Sequence, residues 1–110
     1  MPKPSLILVV DDDATACAVL AEVLIKAGYT VEMAGGGAEA IEKGQQLPVD
    51  LVLTDIQMAN MDGMAVLKRF REFSPDTPII LLTAFGTIES AIKAIKNGAY
   101  DYISKPFKKD

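Results

Sequence analysis

Three carboxylates, a hydroxyl and an ammonium group stand at the ends of strand-like runs in this chain of 110 residues. Asp11 and Asp12 follow Leu6 to Val10, Asp55 follows Leu51 to Thr54, Thr83 closes Ile79 to Thr83, and Lys105 follows Tyr100 to Ser104. The first three of these runs are almost purely aliphatic and read as strands buried on both faces, and acids at their ends need water or a cation. Three carboxylates and one lysine sum to a charge that a single divalent ion brings to zero. An oxygen-only donor set with no histidine or thiolate favours magnesium over zinc. A magnesium ion, an ammonium and a hydroxyl around one carboxylate are also what phosphoryl transfer to that carboxylate requires. Asp55 is the best nucleophile, because it tips a central strand opposite Asp11 and Asp12. Its product would be an acyl phosphate, short-lived and energy-rich, suited to a switch rather than a store.

Those groups meet only if these runs, with a further one at Thr30 to Ala34 that is second of five in chain order, are parallel strands. Between them lie segments of helical spacing, Ala14 to Ala27, Ala38 to Gln46, Gly63 to Phe73 and Ile88 to Lys96. Asp13 and Thr87 are suited to cap the first and fourth helices, and Gly28 and Gly98 to the left-handed residue after a helix end. Strict alternation of strand and helix implies right-handed crossovers and an α/β fold, a doubly wound parallel sheet with helices on both faces. Every strand tip then points to one edge, where such sheets bind ligands. The sequence stops just after the fifth strand run, so a last covering helix is expected to be missing from this chain, and possible output sequences with it.

Bulk properties narrow the function further. The length suits one domain. The net charge is -4, from 15 acidic and 11 basic residues, so there is no basic footprint for direct nucleic acid contact. The single Cys17 lies among Ala16, Ala18 and Val19 and reads as a packed structural thiol. No apolar run approaches the length of a membrane span and no leader pattern is present, which leads to the expectation of a cytoplasmic protein with no membrane contact.

Five ordered segments carry a family resemblance: Val9-Val10-Asp11-Asp12-Asp13, Thr54-Asp55-Ile56-Gln57-Met58, Met61-Asp62-Gly63, Leu82-Thr83-Ala84 and Tyr102-Ile103-Ser104-Lys105-Pro106-Phe107. The chain resembles the receiver domain of a bacterial two-component response regulator. The resemblance covers residues 1–110 and implies a five-stranded, flavodoxin-like sheet of order 2-1-3-4-5. It implies Asp55 as phosphoacceptor, and Mg2+ held by Asp11, Asp12, Asp55 and the backbone carbonyl of Gln57. Thr83 and Lys105 would bind the phosphoryl oxygens, and Thr83 with Tyr102 would form the switch. The domain would take part in its own phosphorylation and dephosphorylation without being an enzyme in the ordinary sense. Its partners would be a sensor histidine kinase or phosphotransfer domain, and a homodimer mate or output domain on the helix 4/strand 5 face. The segment from Ala84 to Tyr102 resembles receivers that regulate transcriptional activators with an ATPase domain. One departure is Ala59, where the family usually has proline; the loop after Asp55 is expected to be looser for it.

Other readings compete. Asp11-Asp12-Asp13-Ala14-Thr15 also fits the Asp-x-Asp-x-Thr signature of haloacid dehalogenase-like phosphotransferases, in which Asp11 would be the nucleophile. Against this, the chain is short and has no late Gly-Asp-x-x-x-Asp. A flavodoxin-like cofactor carrier is disfavoured because acids after the first strand would repel a flavin phosphate. A phosphorylation-independent interaction module would not need every acidic, hydroxyl and lysine position. Gly35-Gly36-Gly37 follows the second strand run and has no adjacent Lys-Ser/Thr, so turn flexibility explains it better than a phosphate cradle.

Overall fold

A computed structural model describes residues 5–55, 63–83 and 101–104. In chain order the elements are β1 (Leu6–Val10), α1 (Ala14–Lys26), β2 (Thr30–Ala34), α2 (Gly37–Gln46), β3 (Leu51–Asp55), α3 (Gly63–Phe73), β4 (Ile79–Thr83) and β5 (Asp101–Ser104). The strands pair in parallel in the order β2-β1-β3-β4-β5. Asp55 is the last residue of β3 rather than the first after it, paired in register with Leu82. The expected helix over 88–96, with Thr87 and Gly98 at its ends, lies outside the described residues, as do Gln57, Ala59 and Lys105.

Strand periodicity sorts the aliphatic runs between two cores. Leu8, Val10, Val52, Ile79 and Leu81 face α2 and α3, where they meet Ala40, Ile41, Val66, Leu67 and Phe70. Ile7, Val9, Leu53 and Leu82 face the opposite side and pack with Cys17 of α1 and the half-buried Leu20 and Leu24. Helices therefore cover both faces of a parallel sheet, as the alternation of elements predicts. β1 is interior because nothing in it needs water: it pairs with β2 on one side and β3 on the other, and Ile7 to Val10 are buried.

Local chemistry sets the ends of the elements. Asp13 caps α1, its Oδ1 accepting from the Thr15 and Ala16 N–H groups at 3.0 and 3.2 Å. At the other end Gly28, at φ 103°, donates to the Ile25 carbonyl, and the Tyr29 N–H reaches back to Leu24. That is the Schellman arrangement, which favours glycine at the left-handed residue. Gly37 opens α2, so the glycine run is a helix start. Its neighbour Gly35 donates to Glu39 Oε1 at 2.9 Å. At the opposite edge of the sheet, Asp50 accepts from the Leu6 N–H at 2.8 Å and returns its own N–H to the Leu6 carbonyl, which fixes β1 beside β3.

Helices α2 and α3 approach closely. A Cβ on Gly44, seven residues into α2, would overlap Phe70 Cζ, and Phe70 is fully buried with its ring centroid 4.7 Å from that of Phe73. Gly44 is there because the Phe70 ring occupies the space a side chain would need.

Candidate functional site

The register of the central strands builds the site. Val10 pairs with Thr54, so the residues that follow, Asp11 and Asp55, emerge side by side at the carboxyl edge of the sheet. Asp12 is the next residue along. One carboxylate oxygen from each of Asp11, Asp12 and Asp55 lies within 4.8 Å of the others. The three environments differ: Asp11 is buried at 4% exposure, Asp55 is half-buried and Asp12 is exposed.

Backbone contacts hold the buried acid. The Asp11 N–H donates to the Ala34 carbonyl at 3.1 Å, tying β1 to the end of β2, and Asp11 Oδ1 accepts from the Asp13 N–H at 2.9 Å. Asp13 turns away from this cluster to cap α1. That geometry weakens the phosphotransferase alternative, which needs the first and third acids of the run to act on one substrate. Thr54, fully buried beneath Asp55, donates its hydroxyl to the Asp55 carbonyl at 3.1 Å.

The donor chemistry fits a hard divalent ion. All three ligand groups are carboxylates, and the chain contains no histidine. Cys17 is turned inward, its Sγ 3.6 Å from the Val9 carbonyl. Burial, and then the nearby Asp11 carboxylate, push the Cys17 thiol above its ordinary pKa, so thiolate ligation is disfavoured. Opposite oxygens around magnesium stand about 4.2 Å apart at bond lengths near 2.1 Å. Adjacent ones stand only about 3.0 Å apart, so the three side chains, now within 4.8 Å of one another, would have to draw inward around such an ion. Without a cation, three negative groups this close repel one another.

The remaining expected residues take their places in the topology only in part. Thr83 ends β4, one residue beyond the Asp55–Leu82 pair, and is in register with Ser104; Tyr102 is in register with Leu81. The sequence reading missed Glu39 and Lys43, which clamp the β2–α2 corner beside the site. Lys43 Nζ lies 2.5 Å from the Met33 carbonyl and 3.2 Å from Glu39 Oε2. The only signal available was an acid and a base four residues apart on a helix face.

Comparisons agree with this geometry. The family described as response regulator receiver domain matches residues 7–110. The transcriptional regulatory protein ZraR of Klebsiella oxytoca is 45% identical over 100 residues, which is 91% of this chain and 23% of that protein. The chain therefore spans about a quarter of that relative's length. Among solved structures, the Vibrio cholerae chemotaxis protein CheY4 superposes with a TM-score of 0.92 at 33% identity, covering 96% of this chain and 89% of that one. A response regulator protein from Burkholderia pseudomallei, solved with a phosphorylated aspartic acid, a calcium ion and citrate, gives a TM-score of 0.88 at 29% identity, over 94% of this chain and 61% of that one. With three carboxylates gathered at the carboxyl edge of a parallel sheet and a family match running from Ile7 to the last residue, the chain belongs to the response regulator receiver domains of two-component systems.

Proposed function

We propose that this chain is a phosphorylation-dependent switch in which Asp55 accepts a phosphoryl group from the phosphohistidine of a sensor histidine kinase or phosphotransfer domain. The observation that carries the reading is the convergence of Asp11, Asp12 and Asp55 within 4.8 Å. An Asp55 carboxylate oxygen attacks phosphorus, the phosphorus–nitrogen bond breaks, and its electron pair returns to the imidazole. Attack of water on the acyl phosphate then releases inorganic phosphate and restores Asp55. Asp11, Asp12, Asp55 and the Gln57 carbonyl would hold Mg2+, which when bound neutralises charge on the transferring group. Thr83 and Lys105 would take the phosphoryl oxygens. The Burkholderia pseudomallei relative, with its phosphorylated aspartic acid and calcium ion, supports both the acceptor chemistry and the cation.

The consequence of phosphorylation would be a population shift. Thr83 moves toward the phosphoryl group, Tyr102 turns inward, and the helix 4/strand 5 face changes for a homodimer mate or output domain. Likeness to a transcriptional regulatory protein supports a transcriptional output, and the resemblance carried by Ala84 to Tyr102 points to an activator of the ATPase-containing type. DNA would then be bound elsewhere than on this acidic receiver domain, residues 1–110, and the setting would be the cytoplasm. No described helix is long and apolar enough to cross a membrane. The test is incubation with acetyl phosphate and Mg2+, followed by mapping of the modified residue. Label on Asp55 that Asp55→Asn abolishes is the expected result. Label on Asp11 with sustained turnover of phosphate esters would overturn the reading.

A further inference from the structure

We infer that Glu39 and Lys43 are positioning residues for the cation site, holding Asp11 in place through the backbone of β2; this rests on the function proposed above. The chain of contacts is short. Ala34 supplies the carbonyl that accepts the Asp11 N–H at 3.1 Å. Both neighbours of Ala34 are held by α2: the Met33 carbonyl accepts from Lys43 Nζ at 2.5 Å, and the Gly35 N–H donates to Glu39 Oε1 at 2.9 Å. The two side chains also hold each other, Lys43 Nζ to Glu39 Oε2 at 3.2 Å, with Glu32 a further 3.5 Å partner for Lys43. Ala34 is thus fixed from both sides by one ion pair that joins the first turn of α2 at Glu39 to its last turn at Lys43, and its carbonyl in turn fixes the most buried of the three acids.

The two residues differ in setting from ordinary surface charges. The Glu39 carboxyl is held below the usual glutamate range, first by the Gly35 N–H and then by Lys43. Burial disfavours the Lys43 ammonium, but its bonds to Glu39 and Glu32 outweigh this and raise its pKa. A ligand such as Asp11 that must sit within tenths of an ångström of its ion depends on supports of this kind. The clamp lies outside the metal shell, so its removal should shift the alignment of Asp11 without deleting a ligand.

The experiment is a Mg2+ titration of the 110-residue chain, followed by the amide resonances of Asp11, Asp12 and Gly35, for wild type, Glu39→Ala, Glu39→Gln, Lys43→Met, Lys43→Arg and Glu42→Ala. Loss of one charge-assisted hydrogen bond corresponds to about a five-fold to ten-fold weaker Mg2+ affinity for Glu39→Ala and Lys43→Met. Lys43→Arg should restore most of it. Glu39→Gln keeps an acceptor for Gly35 and should fall between, which also serves should Glu39→Ala fail to fold. Glu42→Ala, an exposed acid on the same helix, should leave the affinity at the wild-type value. Equal Mg2+ affinity in Glu39→Ala, Glu39→Gln and wild type would overturn the inference while leaving the proposed function standing. A wild-type chain that binds no Mg2+ would instead overturn the site reading. Hydrogen exchange at the Asp11 amide, compared with Leu8 in the middle of β1, then decides the clamp: selective acceleration in Glu39→Gln supports it, and no acceleration refutes it.

Discussion

Gly44→Ala should destabilise this protein, although the same change in an exposed helix normally does the opposite. Replacing a glycine inside a helix by alanine favours folding by about 1 kcal/mol, because it restricts the unfolded chain. Here the new Cβ would overlap Phe70 Cζ and lie 2.8 and 3.2 Å from the two neighbouring ring carbons. Carbon atoms in contact prefer separations of about 3.5–4.0 Å, so the ring would have to retreat by roughly 1 Å or more. It has nowhere easy to go: Phe70 is fully buried, its ring lies against Phe73, and Val66 and Leu67 belong to the same cluster. Overpacking of that kind costs about 2–3 kcal/mol, toward the upper part of the usual range, which leaves a net loss of about 1–2 kcal/mol. Urea denaturation should show a lower midpoint with an unchanged slope, and thermal melting a fall of roughly 4–8 °C. Phe70→Leu should relieve the clash, so a double-mutant cycle should give a coupling of about 1 kcal/mol or more. A Gly44→Ala midpoint at or above wild type would refute the packing argument.

Three further outcomes are expected. Mg2+ at a hundred-fold excess over its dissociation constant should stabilise the chain by about 2.7 kcal/mol, and Asp12→Ala should remove most of that gain while raising stability in chelator, since it relieves repulsion among the three acids; thermal melts with and without the ion check both. The depressed Glu39 carboxyl contributes stability that is complete above its unfolded pKa of about 4.3 and is lost as pH falls through the lower folded value, so Glu39→Gln should show a shallower loss of stability on acidification than wild type. The buried Cys17, whose thiol is pushed up by burial and by Asp11, should react with a thiol reagent at pH 8 far more slowly in the native chain than in urea, and equal rates would contradict its inward packing against Val9.

Elements and chemistry were unequally legible in the sequence. The runs Leu6–Val10 and Ile79–Thr83 match the observed strands because an unbroken aliphatic stretch of four or five residues marks a strand buried on both faces. The first helix was readable at both ends, since Asp13 and Gly28 each do what only a few residue types can. The third strand was read one residue short because Asp55 is polar yet still pairs with Leu82. The convergence of Asp11, Asp12 and Asp55 followed from topology alone, as parallel strands must end at one edge. Gly44 and the Glu39–Lys43 clamp were not legible. Both depend on which face of α2 meets Phe70 or the end of β2, and that rotation is set by packing between elements distant in sequence.

Lys43 also bears on how copies of this chain can meet. Because Thr30 donates to Ser5 and Ala34 accepts from Asp11, the intervening Val31 and Met33 turn their backbone groups outward from the sheet. That row of donors and acceptors beside the exposed Met33 side chain is a template on which a foreign strand could extend the sheet. The ammonium seated on the Met33 carbonyl occupies one of those acceptors and places a charge where an incoming strand would have to lie. A residue that steadies the acid cluster from behind thereby also guards the open flank of the sheet against aggregation, so a neutral side chain at position 43 would endanger solubility as well as signalling.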